Sequence, residues 1–289
     1  MKILSFGEVL WDVYTDKKFI GGAPLNFSAH LAKHGKEVAM LTSVGNDALS
    51  DETLKVIKDF SIDTRFITKI KELQTGKCQV TLDEKGIPTY DLLKNVAYDK
   101  IKTDFDVTDF GVLYFGTLAL REKYNRKTLT DLINKNSFKE IFVDVNIRPP
   151  FYDDEVIDFA CRNATIIKIS SEELPIILKS IKLESKDLRE NAREIADKFA
   201  NLKLVIITCG SEGAIVFDCA EKEFYSQAAG KEKPVSTVGA GDSFSAGFLY
   251  KHMNDCEISE CLSYATKLAD FVVSRYDAVP DYDFFEAQG

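Results

Sequence analysis

Residues 236–248 read Ser236-Thr237-Val238-Gly239-Ala240-Gly241-Asp242-Ser243-Phe244-Ser245-Ala246-Gly247-Phe248. A glycine-rich turn runs straight into a helix with small residues along one side. Gly239 and Gly241 let backbone N–H groups turn toward a shared point. That point lies at the positive end of the following helix, which makes it an anion site. Asp242 falls in the first helical turn, where a carboxylate is stabilised in its charged form and can accept a proton. An anion cradle beside a base is what transfer of a phosphoryl group to a hydroxyl requires. Alone, Gly-x-Gly-Asp is also an ordinary helix start with an acidic residue. The run Ser243, Ser245, Ala246, Gly247 adds to the first reading, because it permits very close helix packing.

Upstream of this turn the chain alternates strand and helix. Ile3–Phe6 is a short apolar run ending at Gly7, and residues 25–36 read as a helix with Pro24 in its first turn and Gly35 near its end. The strand Val38–Leu41 and the helix Ser50–Phe60 follow. Later strand–helix pairs are Val112–Phe115 with Glu122–Ile133, Ile141–Val145 with Asp154–Ala160, and Thr165–Ile169 with Glu172–Lys179. A helix at Leu188–Phe199 precedes a strand at Leu204–Thr208, and helices near Ala240–Lys251 and Ser259–Val273 close the chain. Buried runs of Val, Ile, Leu and Phe, each followed by a helical period, predict an α/β fold of parallel strands with crossover helices. Two segments break the rhythm. Residues 12–19 look extended, and residues 65–100 contain β-leaning stretches at Lys77–Leu82 and Thr89–Leu92 around a turn at Asp83-Glu84-Lys85-Gly86. They read either as a small separate sheet over the open end of the core, a lid, or as an antiparallel edge of the main sheet.

Four further clusters carry polar chemistry. Gly21-Gly22-Ala23-Pro24-Leu25-Asn26 combines close backbone approach with an amide that both donates and accepts, which suits a hydroxyl-rich ligand. Asp12 lies just before it and reads either as an acceptor for two sugar hydroxyls or as plain surface charge. Asp144-Val145-Asn146-Ile147-Arg148 ends a strand, where ligands of open α/β sheets bind. Its polar residues alternate with packing residues, and Arg148 suits a phosphate. Ser170-Ser171-Glu172-Glu173 reads as a helix capping box through Ser170 and Glu173. Thr208-Cys209-Gly210-Ser211-Glu212-Gly213 is a strand-ending turn that either approaches a nucleotide or forms a hairpin into Ala214–Phe217.

Composition narrows the class. The 289 residues carry 46 acidic and 37 basic side chains, a net charge of −9, which argues against a nucleic-acid surface. No apolar run approaches the ~18 residues of a membrane span, and the N-terminal run is too short for a signal peptide. The six Cys show no Cys-x-x-Cys spacing and read as reduced thiols in a cytoplasmic protein. No Gly-x-x-x-x-Gly-Lys-[Ser/Thr] or Gly-x-Gly-x-x-Gly motif is present. His30 and His34 are four apart without a Glu after His30, so they read as helix surface and not as zinc ligands.

Taken jointly, Gly21 to Asn26 and Thr237 to Asp242 resemble the two signatures of the ribokinase-like, or PfkB, carbohydrate kinases, and their separation fits as well. Glu8-Val9-Leu10-Trp11-Asp12-Val13, Phe115-Gly116-Thr117-Leu118-Ala119-Leu120-Arg121 and Asp144 to Arg148 look like the bacterial fructokinase branch. The resemblance covers essentially the whole chain. It implies a three-layer α/β/α sandwich around a mostly parallel sheet, as one domain over residues 1–289, with a β-sheet lid from segments 12–20 and 65–100. It implies ATP- and Mg²⁺-dependent phosphorylation of a sugar hydroxymethyl group, with fructose first and ribose, a nucleoside or 2-keto-3-deoxygluconate as alternatives. An inactive binding relative is a further alternative. By this resemblance Asp242 is the base, and the backbone of Gly239, Ala240 and Gly241 is the anion hole. Asp12, Gly21, Gly22, Asn26 and Arg148 face the sugar. Lys168, Thr208, Gly210 and Gly213 line the nucleotide side, and Glu173 is linked to the metal indirectly. Ser236 stands where relatives carry the Asp of a monovalent-cation loop, which leaves potassium activation open. A homodimer through the lid is a further expectation.

Overall fold

The computed structural model describes residues 1–82, 88–231 and 233–282. In chain order the elements are β1 (Lys2–Phe6), β2 (Leu10–Val13), β3 (Lys18–Gly21), α1 (Ala23–Lys33), β4 (Val38–Val44), α2 (Ala48–Asp59), β5 (Ile67–Lys69), β6 (Gly76–Leu82) and β7 (Pro88–Leu92). They continue with β8 (Phe110–Phe115), α3 (Lys123–Lys135), β9 (Glu140–Asp144), α4 (Asp154–Asn163), β10 (Ile166–Ser170), α5 (Leu174–Ser180), α6 (Leu188–Lys198) and β11 (Leu204–Thr208). The last are β12 (Ala214–Asp218), β13 (Glu223–Gln227), α7 (Ala240–His252) and α8 (Ile258–Val273).

Nine strands form one sheet in the order β13-β12-β11-β10-β9-β8-β1-β4-β5. Pairing is parallel from β11 to β5 and antiparallel across β11-β12-β13. Alternate residues of each central strand feed two different cores. Leu4, Leu113, Phe115, Val143, Ile167 and Val205 pack with α3 to α6. Ile3, Val112, Tyr114, Phe142, Ile166 and Leu204 pack with α1, α7 and α8. Side chains of a strand alternate between faces, so continuous apolar runs bury both sides and set helices on each. The result is the ribokinase-like three-layer sandwich that the resemblance implied.

A second sheet has the order β3-β2-β6-β7. β2 pairs with β6 in parallel, and the outer pairs are antiparallel. Both irregular segments contribute to it, but not whole. Residues 67–69 pair with β4 at the edge of the large sheet instead, where they cover a strand edge next to the apolar Ile57 and Ile62. The expected turn at Asp83 to Gly86 lies outside the described residues. Trp11 anchors the small sheet by donating from Nε1 to Thr53 Oγ1 on α2 at 2.8 Å.

The two histidines expected on a helix surface are buried, at 0% and 7% exposure. The C-terminal segment and α8 cover that face of α1. His30 Nδ1 meets the Tyr282 hydroxyl at 2.8 Å and Nε2 meets the Ala278 carbonyl at 3.0 Å. His34 Nε2 meets the Tyr264 hydroxyl at 2.6 Å. None of the six cysteines forms a disulfide among the described residues. No described helix is long and apolar enough to cross a membrane.

Candidate active site

The glycine turn 236–241 and the loops after β1, β9 and β10 meet at the C-terminal ends of the parallel strands. Gly239 caps α7 with φ +81°, and a Cβ there would lie 2.6 Å from the Ala278 carbonyl oxygen. Only glycine fits both the left-handed backbone and the close approach. The first turn of a helix leaves its N–H groups without intrahelical partners, and at α7 that turn holds the exposed Gly241.

Asp242 follows at 9% exposure. Asn26, in the first half of α1, donates from Nδ2 to Asp242 Oδ2 at 2.8 Å. Burial and then the negative charge of Asp144 push the Asp242 carboxyl up to about 6, against the opposing pull of Asn26, Lys168 and Arg148. A carboxyl with that value accepts a proton readily near neutral pH. Beneath the turn, Lys168 Nζ donates to both oxygens of Asp144 at 2.9 Å, and Ser245 Oγ donates to Asp144 Oδ2 at 2.9 Å. Lys168 and Asp144 are both buried. Burial pulls the ammonium down, but Asp144, Glu173 and Asp242 outweigh it, so Lys168 stays charged. A Cβ on Gly241 would sit 3.3 Å from Lys168 Nζ, so the small residue lets a buried cation lie directly under the helix end. Sequence reasoning set Lys168 on the nucleotide side. In the fold it lies under the turn that carries Asp242.

The other wall comes from the first signature. Gly22 has φ +116°, and a Cβ there would be 2.7 Å from the Glu8 carbonyl oxygen, so the loop lies flat on the turn between β1 and β2. Asp12 on β2 stands opposite Cys78 on β6 in register, and Gly21 leaves its Cβ position 3.7 Å from Asp12 Oδ2. Burial raises the Asp12 carboxyl, while the Cys78 thiol and Arg148 lower it. Arg148 is exposed, and its charge reaches Glu8, Asp12 and Asp242. The fold thus brings Asp12, Gly21, Gly22, Asn26, Arg148 and Asp242 together from four separate stretches of chain.

Glu8 belongs to the same wall, and sequence reasoning gave it no role. It is 3% exposed. Burial pushes its carboxyl up to about 7, although its own N–H, Arg148 and the Ala23 N–H favour the charged form. Its signals were its place directly after the first buried strand and Gly7, and at the head of the stretch Glu8 to Val13 that carries part of the family resemblance.

Glu173 makes the capping box. Its Oε2 accepts from Ser170 N at 2.8 Å and Ser170 Oγ at 2.9 Å, and Ser170 Oγ accepts from Glu173 N at 3.2 Å. Its Oε1 accepts from Ile147 N at 2.6 Å, which pins the loop that carries Arg148. Both oxygens are therefore engaged, and no cluster of three or more His, Cys, Asp or Glu among the described residues can hold a metal ion. Thr208 ends β11 beside Ser170. Gly210 and Gly213 form the turn into β12, the hairpin reading. Gly213 is buried against β13, where a Cβ would overlap the Gln227 carbonyl oxygen. Ser236 Oγ accepts from Val238 N at 3.2 Å.

The profile described as pfkB family carbohydrate kinase matches residues 2–283. The chain is 25% identical over 302 residues to a 5-dehydro-2-deoxygluconokinase of Lacticaseibacillus casei, covering 98% of this chain and 90% of that protein. It is 25% identical over 239 residues to a fructokinase of Salmonella typhimurium, covering 79% and 75%. Among solved structures, a fructokinase with bound ATP from Xylella fastidiosa superposes with a TM-score of 0.84 at 18% identity, covering 96% and 94%.

Proposed function

The chain belongs to the pfkB family of carbohydrate kinases, and on that premise we propose that it transfers the γ-phosphoryl group of ATP to a hydroxymethyl oxygen of a neutral sugar. D-fructose, giving fructose 6-phosphate, is the first substrate to test. The observation that carries the neutral-sugar reading is the charge of the pocket wall. The charge of the exposed Arg148 reaches three carboxyl groups, those of Glu8, Asp12 and Asp242. Three carboxyls for one exposed cation favour an acceptor rich in hydroxyls, which pair with a carboxyl in either protonation state, over an acidic one.

In this reading Asp12, Gly21, Gly22 and Asn26 hold the sugar so that its hydroxymethyl oxygen meets Asp242. Asp242 takes the hydroxyl proton as the bond from oxygen to the γ-phosphorus forms and the bond from that phosphorus to the ADP oxygen breaks. The backbone of Gly239, Ala240 and Gly241 and the α7 dipole stabilise the charge on the migrating group. Arg148 lies on its open side, and the Lys168–Asp144 pair holds the turn from beneath. Thr208, Gly210 and Gly213 serve the nucleotide side. Mg²⁺ bound with ATP would neutralise phosphate charge, and Glu173, whose oxygens are engaged by Ser170 and Ile147, would act on it only indirectly. Ser236 brings no carboxylate to its loop, and equal turnover is expected in potassium and sodium salts. The small sheet acts as the lid. A homodimer through it is tested by light scattering, where a species of one chain at all concentrations would exclude it.

The second reading is a keto-deoxy sugar acid, favoured by the name of the Lacticaseibacillus casei relative. ADP release measured across fructose, ribose, adenosine, 5-dehydro-2-deoxygluconate and 2-keto-3-deoxygluconate decides. Fastest turnover on fructose is expected. Fastest turnover on an acid would overturn the neutral-sugar reading, and ATP binding without any phosphorylated product would mark an inactive relative.

A further inference from the structure

Among the described residues, five buried side-chain N or O atoms have no hydrogen-bond partner: Glu8 Oε2, Thr42 Oγ1, Tyr98 OH, Tyr114 OH and Arg121 Nη1. Two of them, on Glu8 and Tyr98, lie near one another. Glu8 is 3% and Tyr98 0% exposed. The Cβ position of Gly76 would be 2.5 Å from the carbonyl oxygen of Val9, the residue after Glu8, and 2.6 Å from the Tyr98 ring. The Glu8 charge reaches Tyr98, yet the two side chains do not bond directly. Glu8 is otherwise well fixed. Its own N–H and the Ala23 N–H at the start of α1 favour the charged form, and Oε2 is the oxygen without a partner. On its other sides Glu8 faces Arg148 and Asp242.

Buried polar groups nearly always find partners, and every other carboxyl of this wall has one. Asp242 takes Asn26 and Asp12 takes the Cys78 thiol. A carboxyl oxygen and a phenol hydroxyl, both buried and unpartnered and near one another, define a missing group that can donate and accept. A sugar hydroxyl does both.

We propose that Glu8 is a specificity-determining residue whose Oε2 binds a hydroxyl of the acceptor sugar other than the one that is phosphorylated, with Tyr98 OH as the second partner of that hydroxyl. This rests on the sugar kinase reading above. A hydroxyl matches Glu8 in either protonation state, whereas an acidic or apolar substituent at that position would leave both groups unpaired.

The test compares kcat/KM for the best sugar with that for each of its monodeoxy analogues, in the wild type, Glu8→Ala and Tyr98→Phe. In the wild type, loss of one particular hydroxyl is expected to lower kcat/KM about tenfold or more, the worth of a buried hydrogen bond. In Glu8→Ala that one discrimination is expected to collapse to about threefold or less, while discrimination at the other hydroxyls persists. Tyr98→Phe is expected to weaken the same discrimination and no other. A structural role alone would scale the parent sugar and all analogues equally, and this result overturns the proposal. So does unchanged selectivity, which would mean that a bound water serves Glu8. Should Glu8→Ala fail to fold, Tyr98→Phe removes one oxygen only and tests the same discrimination. A wild type that phosphorylates no sugar overturns the kinase reading and this inference with it, an outcome distinct from active enzyme with unaltered selectivity.

Discussion

Asn26 Nδ2 donates to Asp242 Oδ2 at 2.8 Å, joining two side chains 216 positions apart. The bond leaves Asp242 Oδ1 as the oxygen free to meet a substrate, and it ties the helix of the first signature to the helix of the second. Each signature thereby aligns the other. In Asp242→Asn, kcat is expected to fall by at least ~10²-fold, the low end for a positioned general base. Coupled ADP release measures it, and near-normal turnover would exclude the role.

The pH dependence of that carboxyl follows from its surroundings. With Asp242 pushed up to about 6, kcat/KM is expected to drop about tenfold per pH unit below that value, because only the ionised form accepts the proton. The same shift carries a stability signature. The folded-state value exceeds the ordinary 3.8, so between the two the folded protein holds the proton more tightly than the unfolded chain. Stability from this group is greatest below 3.8 and declines as pH rises through 6. Asp242→Asn is therefore expected to be more stable than the wild type at pH 8, by on the order of 3 kcal/mol. The difference should be nearly gone at pH 4. Urea melts at both pH values check it, and a variant less stable at pH 8 would refute it.

Lys168 and Asp144 are both buried and bonded twice. Lys168→Met strands a carboxylate in the core and is expected to cost about 3–5 kcal/mol in chemical denaturation. Removing both charges in Lys168→Met/Asp144→Leu should restore most of that stability without restoring activity. A double variant as unstable as the single one would show that packing, and not charge, dominates at this position.

The C-terminal segment reaches the anion turn through a neutral histidine. The Ala278 carbonyl can only accept, so His30 Nε2 carries the hydrogen and Nδ1 accepts from the Tyr282 hydroxyl. Burial lowers His30 to about 3, so its stabilising contribution is complete above 6.5 and is lost as pH falls toward 3. Nitrogen-detected NMR is expected to find the Nε2–H tautomer unchanged at pH 5. Tyr282→Phe should cost about 1 kcal/mol and raise KM for ATP more than KM for sugar, because Ala278 packs on Gly239. Equal effects on both KM values would sever the segment from the nucleotide side.

Much of the fold was legible because it rests on local periodicity. Apolar runs such as Val112–Phe115 and Ile166–Ile169, each followed by a helical pattern, specify parallel strands, whichever side chains later meet. The glycines at 22 and 239 were legible for a similar reason, since the backbone there leaves no room for a Cβ. Residues 67–69 were not, because a three-residue strand has too little pattern to reveal which sheet it joins. His30 and His34 were read as surface because a helix does not announce that a distant segment will cover its polar face.

By itself, the sequence determined the alternation of elements, the two glycine signatures and the presence of an acid at the start of the last helix pair. These depend on neighbouring residues and on backbone sterics. Only the tertiary structure decided that Asn26 would hold Asp242, that Lys168 would lie buried beneath Gly241, and that Glu8 would lie against Gly22 with one oxygen unpaired. Those relationships join residues far apart in the chain. Their energies come from burial and charge, which exist only once the sheet has brought the strand ends together.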